Sequence, residues 1–515
     1  MQLFRDEAAS WYLASHSLGD MLAISSHETF PPLYLLLLSG WMTLFGTSEA
    51  ALRSLSVVAG VGIVLATWRW ARDAVGRGGA LIAATLVALS PGLVIDAREA
   101  RMYSLETFFA TAAWWLLWLL IAGGADWPNW RRRAAEAGLV AGVAGEVWTM
   151  SLGIPTAGLQ LAFALAALLW LRTRVSALAV GCIVAGGLSL APWLPNLLSV
   201  ALNGKVFWTP RPDLVSVAAV LGAWFLGDLR GVWVTAIVLA GALATFWLVA
   251  VSRGLPMRQP VEDEESRAIE RLRRARLLAL AIALGVGLVP AVWIYSQFHS
   301  IYQPRYLDAA FPPFAIAIGA GVLPAARRLR LTFDILGRLP RGALAILLVL
   351  PVVSAMAIGT AHAIDDSRRD AGIEPGRQMV RALAAVAHPG DAIIALNAQT
   401  YFPLEYYLTE TGVGQHLDLG LYDWQRPTSA FFTGWMDIDE AHRVDAEKIA
   451  AAGWAGAVHL APGGVLWCVT LVTPDHEFAN FSPLASGQLR QLMQFEVNGG
   501  GDVNGQIREA VPSGP

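Results

Sequence analysis

Residues 5–10 read RDEAAS and residues 27–35 read HETFPPLYL, so two charged segments precede the first apolar run of the chain. The two prolines of the second segment suit the first turn of a helix. The apolar run extends from the first proline to Phe45 and is about fifteen residues long. It is therefore shorter than the roughly 20 residues that a membrane-spanning helix needs. The pattern predicts a helix at the membrane interface. Ionisable residues held beside membrane helices indicate a functional site.

The composition indicates a membrane protein. Of the 515 residues, 55% are hydrophobic and only 15% are charged, and the mean hydropathy is +0.50. A soluble domain carries roughly 25% charged residues. Apolar runs of membrane-spanning length recur up to about residue 360, where the composition changes. The net charge of −3 gives no indication of nucleic-acid binding, and we expect no nucleic-acid partner.

The hydropathy pattern predicts about ten membrane-spanning helices. The segments are 50–71, 79–93, 104–122, 137–150, 154–171, 176–199, 232–251, 277–297, 311–326 and 342–360. Most arginines fall in one alternate set of loops, which includes Arg131–Arg133 and Arg271–Arg276. Because arginine-rich loops face the cytoplasm, the other set lies outside. That outer set holds both N-terminal charged segments, the loops 94–103, 200–231 and 298–310, and the C-terminal domain.

Three regions follow from this pattern. Residues 1–49 form an outer-face acidic loop with interfacial helices, and residues 50–361 form the transmembrane core. In residues 362–515, amphipathic helical segments alternate with short buried strands such as residues 392–396. That alternation predicts a soluble α/β domain. The Gly-rich tail after about Gly499 is expected to be disordered.

Four groups of polar residues in the outer loops could carry chemistry. Neighbouring carboxylates suit general-base catalysis, a His–Glu–Asp cluster could equally hold a divalent cation, and arginines suit a phosphate. Each group could instead be a solvated loop or an interfacial anchor of the kind that Arg, Tyr and Trp form. The groups are Asp6 and Glu7 with His27 and Glu28; Arg98, Glu99, Arg101 and Tyr103; Arg305 and Tyr306; and Lys205 and Trp208.

Six short motifs occur in a characteristic order. They read RDEA at 5–8, PPLY at 31–34, LFGTSEAALR at 44–53, LSP at 89–91, REARMYSL at 98–105 and PRYL at 304–307. Together they resemble bacterial glycosyltransferases of the GT-C class, over roughly residues 5–360. The protein O-mannosyltransferase and lipid A aminoarabinose transferase relatives, glycosyltransferase families 39 and 83, are the most similar.

The resemblance implies a reaction and a location. Such enzymes take a sugar from a polyprenyl-phosphate donor at the outer face of the bacterial inner membrane. They transfer it to an acceptor hydroxyl on a protein, a lipid or a glycan, usually with inversion. The family's first transmembrane helix precedes the acidic loop, and it has no counterpart before Asp6 in this sequence.

The resemblance also implies roles for individual residues. Asp6, with Glu7 beside it, matches the catalytic acidic pair, and Asp6 is the expected general base. The expected donor-phosphate ligands are Arg98, Arg101, Lys205, Arg305 and Tyr306, and the expected substrate contacts are His27, Glu28, Glu99, Tyr103 and Trp208. A divalent metal, if bound, would use Asp6, His27 and Glu28.

Two other readings remain at this point. A transporter or flippase without chemistry could use the same acids as an ion or proton site, with Glu146 near a helix end as the main candidate inside a span. A catalytically inactive relative could bind a polyprenyl glycolipid. Transport sites lie near the membrane midplane, whereas the ionisable groups of this chain cluster in the outer loops.

Overall fold

The structure is a computed structural model of the 515-residue chain. It describes every residue except 1–2, 4, 27, 29, 125–126, 204–208, 228–261, 333–338, 340–341, 372–374, 423–437, 439, 472–480, 482, 484–487, 499–503 and 513–515. The predicted span 232–251 therefore lies outside the described residues.

The described residues up to Ala371 form a helical bundle. Its helices are α1 (Arg5–Ser15), α2 (Leu18–Ser25), α3 (Leu33–Phe45), α4 (Glu49–Val75), α5 (Arg77–Ala88), α6 (Pro91–Asp96), α7 (Tyr103–Gly123), α8 (Asn129–Thr149), α9 (Gly153–Leu171), α10 (Arg174–Leu188), α11 (Leu194–Asn203), α12 (Leu214–Phe225), α13 (Glu262–Val286), α14 (Leu288–Tyr295), α15 (Phe311–Thr332) and α16 (Ala343–Ala371). Short 3₁₀ helices cover Ala191–Trp193 and Pro304–Ala310.

Within the described part of the chain, seven helical segments are long and apolar enough to cross a membrane. They are Glu49–Val75, Tyr103–Gly123, Gly153–Leu171, Arg174–Ser199, Ile269–Tyr295, Pro304–Arg327 and Ala343–Asp365. Three shorter apolar helices accompany them: Leu33–Phe45, Arg77–Ala88 and Leu214–Phe225. The prediction of a polytopic α-helical membrane protein is confirmed. The predicted domain boundary at residue 361 lies inside α16.

Small residues let the membrane helices approach closely, as is typical of helix packing in membranes. A Cβ atom on Gly319 of α15 would lie only 2.3 Å from the carbonyl oxygen of Gly79 in α5. Likewise, a Cβ on Gly145 of α8 would lie 2.5 Å from the ring of Phe109 in α7. These contacts make the bundle a compact support for the outer loops.

The segments around Ser90, Trp224 and Asp308 are joined to each other by buried hydrogen bonds. Ser90, at the start of α6, donates from Oγ to the carbonyl oxygen of Trp224 at 2.9 Å. The indole Nε1 of Trp224 donates in turn to Oδ1 of Asp308 at 3.0 Å. Through these two hydrogen bonds, α12 fixes the position of the 3₁₀ helix Pro304–Ala310 relative to α6. This 3₁₀ helix carries Arg305.

The C-terminal domain contains a six-stranded sheet of strand order β3-β2-β1-β4-β6-β5. The strands are β1 (Ala392–Ala395), β2 (Asp418–Tyr422), β3 (Arg443–Val444), β4 (Leu466–Thr470), β5 (Leu489–Asn498) and β6 (Asn504–Pro512), and the helices are α17 (Pro375–Val386), α18 (Ala398–Thr411) and α19 (Ala446–Ala457). Strands β1 to β4 are parallel, and β6 is antiparallel to both β4 and β5. The predicted α/β class is confirmed.

The prediction of a disordered tail after Gly499 is wrong for residues 504–512. These residues form β6, which pairs with β4 from Ala510 opposite Leu466 to Gln506 opposite Thr470. The side chains of Ile507 and Ala510 are buried against the sheet. Glycine content suggested disorder because it is a local signal, whereas the pairing partner lies about 40 residues earlier in the chain.

Helix α1 is held between the bundle and the C-terminal domain. The ring of Trp11 packs edge-to-face against Tyr406 of α18 with centroids 5.0 Å apart, and Tyr12 packs against Phe402 at 5.3 Å. The backbone N–H of Leu3 donates to the hydroxyl of Tyr407 at 2.9 Å. Aromatic pairs of this geometry each add about 0.5–1.5 kcal/mol beyond burial. The N-terminal acidic pair is therefore held on a fixed element.

Candidate active site

Glu7 connects three segments of the site. Its side chain is buried, and Arg53 of α4 donates from Nε to Oε1 at 2.7 Å and from a terminal nitrogen to Oε2 at 2.6 Å. The backbone N–H of Ala100 donates to the same Oε1 at 2.8 Å. Bidentate arginine–carboxylate pairs combine strength with fixed geometry. Glu7 therefore fixes α1 against α4 and the 97–102 loop, with both of its oxygens engaged.

Asp6 is placed differently from its neighbour. Successive residues of a helix are turned by about 100°, so the Asp6 side chain leaves α1 away from the buried Glu7, and Asp6 is only half-buried. Its carbonyl oxygen accepts a hydrogen bond from Arg101 at 3.2 Å, and Arg101 also donates to Oγ of Ser10 at 3.2 Å. Asp6 thus lies at the edge of the same cluster as Arg101.

Two arginines converge on one aromatic ring. The guanidinium of Arg101 lies 5.9 Å from the centroid of the Tyr103 ring, and that of Arg305 lies 5.3 Å from it. Tyr306 packs against the same ring at 5.8 Å. Cation–π contacts of this kind are worth about 0.5–2 kcal/mol. Loops separated by about 200 residues in sequence therefore meet, and they place two positive charges on one ring, with Arg101 bonded to the Asp6 carbonyl oxygen.

Glu99 faces Arg305 across this cluster. A terminal nitrogen of Arg305 lies 3.3 Å from Oε2 of Glu99, and the Arg305 side chain remains 41% exposed. Burial raises the pKa of Glu99 to about 7, and repulsion by Asp96 adds to this rise although Arg305 opposes it. Glu99 therefore changes charge near neutral pH while touching a cation of the site.

Behind Glu99 lies a pair of buried carboxyl groups, Asp96 and Asp308. Both residues are almost fully buried. Burial raises the pKa of Asp96 far above its usual range, and repulsion by Asp308 raises it further. Burial and repulsion by Asp308 therefore both disfavour ionisation of Asp96.

A cavity of about 40 Å³ opens beside Arg101, between α1, α3 and the outer end of α8. Its lining is mostly apolar and includes Ser10, Glu28, Phe30, Tyr34, Arg101 and Thr149. Phe30 also lies 5.8 Å below the guanidinium of Arg101. The buried Nε of Arg101 has no hydrogen-bond partner among the residues that the structure describes. The second N-terminal charged segment thus reaches the same cluster through Glu28.

Most of the expected site residues come together. Asp6, Glu7, Glu28, Glu99, Arg101, Tyr103, Arg305 and Tyr306 form or border one cluster, and Arg98 lies half-buried in the same loop as Glu99. His27, Lys205 and Trp208 lie outside the described residues. No three His, Cys, Asp or Glu side chains among the described residues are arranged to hold a metal ion.

The sequence predicts no role for Arg53, and it places Asp96 and Asp308 in two of the polar stretches without a predicted role. Arg53 is the last residue of the motif LFGTSEAALR at 44–53. It lies four residues after Glu49, and this spacing gives no indication that Glu7 is its partner. The two aspartates each lie three residues from a selected residue, Asp96 from Glu99 and Asp308 from Arg305. The presence of an aspartate three residues from a selected residue in each of two loops was the sequence feature that could have indicated a role for both aspartates.

Comparison with known proteins identifies the class of fold. No protein-family profile matches the chain, and no curated protein does. The architecture is that of the GT-C class, as the motifs predicted.

Among the solved structures that are similar to this chain is ArnT from Cupriavidus metallidurans, an aminoarabinose transferase. Its crystal structure in the apo state superimposes with a TM-score of 0.60 at 15% sequence identity, over 99% of this chain and 94% of ArnT. The ArnT structure bound to undecaprenyl phosphate gives a TM-score of 0.58 at 16% identity, over 100% and 95% of the two chains. At this identity the likeness establishes the fold alone.

Proposed function

We propose that this protein is a membrane glycosyltransferase. It moves a sugar from a polyprenyl-phosphate donor to an acceptor hydroxyl at the outer face of a bacterial inner membrane, with inversion. The observation that carries the proposal is the meeting of Arg101 and Arg305 on the Tyr103 ring beside Asp6. The similar ArnT structure that holds undecaprenyl phosphate supports a donor of this class.

The two arginines stabilise the leaving group. When the bond between the anomeric carbon and the phosphate oxygen breaks, the electron pair goes to the polyprenyl phosphate. Fixed cations aimed at such a developing charge provide a large share of catalysis, and planar guanidinium groups match phosphate oxygens bidentately. Arg305 is the more exposed of the two, so it makes the first contact with the donor, and Tyr306 borders the same position.

Asp6 acts as the general base. A hydroxyl is a weak nucleophile until a base removes its proton, and such a base contributes roughly 10²–10⁴-fold to the rate. The acceptor oxygen attacks the anomeric carbon opposite to the phosphate, and its proton passes to Asp6. No covalent enzyme intermediate forms. Glu7 orients α1 through Arg53 and takes no part in proton transfer.

The remaining expected residues serve the substrates. Glu28, Glu99 and Tyr103 line the space around the arginines and contact the sugar or acceptor. His27, Lys205, Trp208 and Arg98 belong to the same outer segments and are retained as substrate and phosphate contacts. A divalent cation on Asp6, His27 and Glu28 is compatible with their oxygen and nitrogen ligands, and no step above depends on it.

The proposed function is tested by measuring sugar transfer by the purified protein in lipid nanodiscs. The donors are synthetic polyprenyl phosphates that carry different radiolabelled sugars. We expect Asp6→Asn to lower turnover at least about 100-fold while donor binding stays within twofold. Asp20→Asn is the matched control, because Asp20 is exposed on α2 and bonds only within its own helix cap. Undiminished turnover in Asp6→Asn would exclude the general-base role.

A second candidate, lipid translocation without chemistry, is favoured by one observation. Glu106 and Glu146 are buried inside the bundle near each other, and Gln160 donates from Nε2 to Glu146 at 3.0 Å. Buried carboxyls within a membrane are expensive and often mark ion or proton paths. Failure of every donor in the transfer assay, together with flipping of a fluorescent polyprenyl phosphate that Glu146→Gln abolishes, would establish this alternative.

A further inference from the structure

The C-terminal domain contains a polar cavity that the proposed chemistry does not use. It measures about 330 Å³ and lies between the C-terminal half of α18, the turn into β2 and the residue before β3. Its lining includes Glu405, Thr409, Asp418 and His442. Ligand sites commonly enclose about 300–1,000 Å³ with a few convergent polar groups, so the cavity has the size and character of a small-molecule site.

The shape of the cavity is built into the fold. Glu405, Leu408 and Thr409 share one face of α18, because residues three and four apart are neighbours on a helix. The helix ends at Gly412, whose φ of 72° is a left-handed conformation that favours glycine. This sharp end turns the chain back over α18 and brings Asp418, the first residue of β2, opposite Glu405.

The charges around the cavity are mixed. Burial raises the pKa of Glu405, and the neighbouring His442 and His16 oppose that rise. Asp418 is bonded at 2.5 Å by Nδ1 of His459. His459 is one of two described non-glycine residues with a positive φ, at 48°. Strained backbone of this kind is concentrated at functional sites, and here it presents an imidazole to a carboxylate of the cavity.

These groups select the class of ligand. Each carboxylate accepts several hydrogen bonds from hydroxyls, and each imidazole can donate one or accept one. The floor is apolar and comes from Leu408, Leu417 and Leu419, which suits the C–H face of a sugar ring. No Arg or Lys is among the described lining residues, which argues against a phosphate.

The cavity also has a defined relation to the proposed reaction centre. His16, which faces Glu405, follows directly on α1, and its Nδ1 is fixed by the Tyr12 carbonyl oxygen at 2.7 Å. Asp6 lies ten residues earlier on the same helix, or about 15 Å at 1.5 Å per residue. The cavity and the proposed base therefore lie near opposite ends of α1, at a separation that is about the length of a short oligosaccharide.

We propose that this cavity is a glycan-binding subsite that holds a sugar of the acceptor while a second, terminal sugar is presented to Asp6. The inference rests on the proposed function and narrows the acceptor from a protein, lipid or glycan to a molecule that carries at least a short glycan. Glu405 and Asp418 are the specificity-determining residues, because their carboxylates accept hydrogen bonds from the sugar hydroxyls.

The test is direct binding, measured by saturation-transfer NMR with the full chain in nanodiscs, which avoids sugar-based detergents. The probes are methyl mannoside, methyl galactoside and a linear trisaccharide. We expect the trisaccharide to bind, and Glu405→Gln and Asp418→Asn each to weaken binding at least about tenfold, since hydrogen bonds to charged groups are among the stronger ones. Glu447→Gln is the control, because Glu447 is exposed on α19 outside the cavity.

Two readouts separate this inference from the proposed function. Thermal unfolding and donor-phosphate binding are expected to be unchanged in both variants, which shows that they remain folded. If no probe binds the wild-type protein, or if both variants bind the trisaccharide as the wild type does, the subsite is refuted while transferase activity can stand. If the trisaccharide binds but no donor supports transfer, the proposed function fails, and the cavity is a sugar site without an acceptor role.

Discussion

The hydroxyl of Tyr407, in the C-terminal domain, donates a 2.5 Å hydrogen bond to Oε1 of Glu49 at the start of α4. Arg377 of α17 contacts the same oxygen at 3.1 Å, and the N–H of Leu3 donates to the Tyr407 hydroxyl at 2.9 Å. Glu49 also interacts electrostatically with Arg53, the partner of Glu7. The soluble domain is therefore connected through polar contacts to the acidic pair of the site.

Removing the Tyr407 hydroxyl tests this connection. Tyr407 is fully buried, so Tyr407→Phe leaves Glu49 and the Leu3 N–H each short of a partner. We expect the free energy of unfolding to fall by about 1–3 kcal/mol and turnover to fall several-fold with the donor KM unchanged. Tyr406→Phe is the comparison, because it removes only a bond to the Thr47 carbonyl oxygen. Equal effects of the two substitutions would contradict a special role for Tyr407.

The Glu7–Arg53 pair is expected to be essential for folding of the site. The side chains of Glu7 and Arg53 are only 2% and 12% exposed, so Glu7→Gln removes the carboxylate that binds the buried Arg53 through both of its oxygens. Breaking a buried ion pair from one side costs about 3–5 kcal/mol. Thermal unfolding of the purified protein measures this cost. Glu270→Gln serves as control, because the exposed pairs of Glu270 with Arg273 and Arg274 are worth at most about 1 kcal/mol.

Donor binding is expected to strengthen as the pH falls from 8 to 6. The pKa of Glu99 is raised to about 7, so Glu99 is ionised at pH 8, where it occupies Arg305 and repels a phosphate. Its protonation at pH 6 releases Arg305. If only the protonated form binds, the protonated fraction and hence the affinity change by about tenfold. A phosphodiester donor analogue is the right probe, because its own charge is constant over this range.

The matched variant for this pH dependence is Glu99→Gln, which keeps the shape of the side chain and removes its titration. We expect the affinity of this variant to be constant between pH 6 and 8 and similar to that of the wild type at pH 6. A wild-type affinity that does not change with pH, or that falls toward pH 6, would exclude the proposed competition between Glu99 and the donor for Arg305.

The two arginines are expected to differ in their sensitivity to substitution. Arg305→Lys keeps the positive charge but loses the planar guanidinium group, which can bind two phosphate oxygens at once. We expect the affinity for the polyprenyl-phosphate donor to fall about tenfold. Arg101→Lys also loses contacts to the Asp6 carbonyl and to Ser10, so both donor affinity and turnover should fall. Arg174→Gln is the control, because Arg174 is exposed at the opposite end of the bundle. Calorimetric titration with the same phosphodiester donor analogue measures the donor affinity of all three variants.

Local features of the sequence were sufficient for the membrane architecture. Hydropathy over windows of about 20 residues identifies spans because the bilayer itself imposes the length. The arginine content of successive loops predicted on which side of the membrane each loop lies. It thereby placed Asp6, Glu99 and Arg305 on the same side before any contact between them was known. The α/β domain followed from the change in composition and the short buried strands.

The pairing of residues was decided only by the tertiary structure. Asp6 and Glu7 are adjacent and chemically alike, yet the helical turn buries Glu7 against Arg53 and leaves Asp6 half-buried at the edge of the cluster that contains Arg101. Nothing in the local sequence distinguishes them, because the difference arises from α4 and the loop at Ala100. The repulsion of Asp96 by Asp308 likewise depends on two loops that meet only in the fold.

The sequence by itself predicted which residues lie on the same side of the membrane, since hydropathy and charge act locally along the chain. The tertiary structure decided what each of them does there. It brings Arg101 and Arg305 to one ring, and it fixes α1 by packing the C-terminal domain against it. The physical reason is that pairing and burial depend on neighbours that are distant in sequence, and these set both the geometry and the protonation of the site.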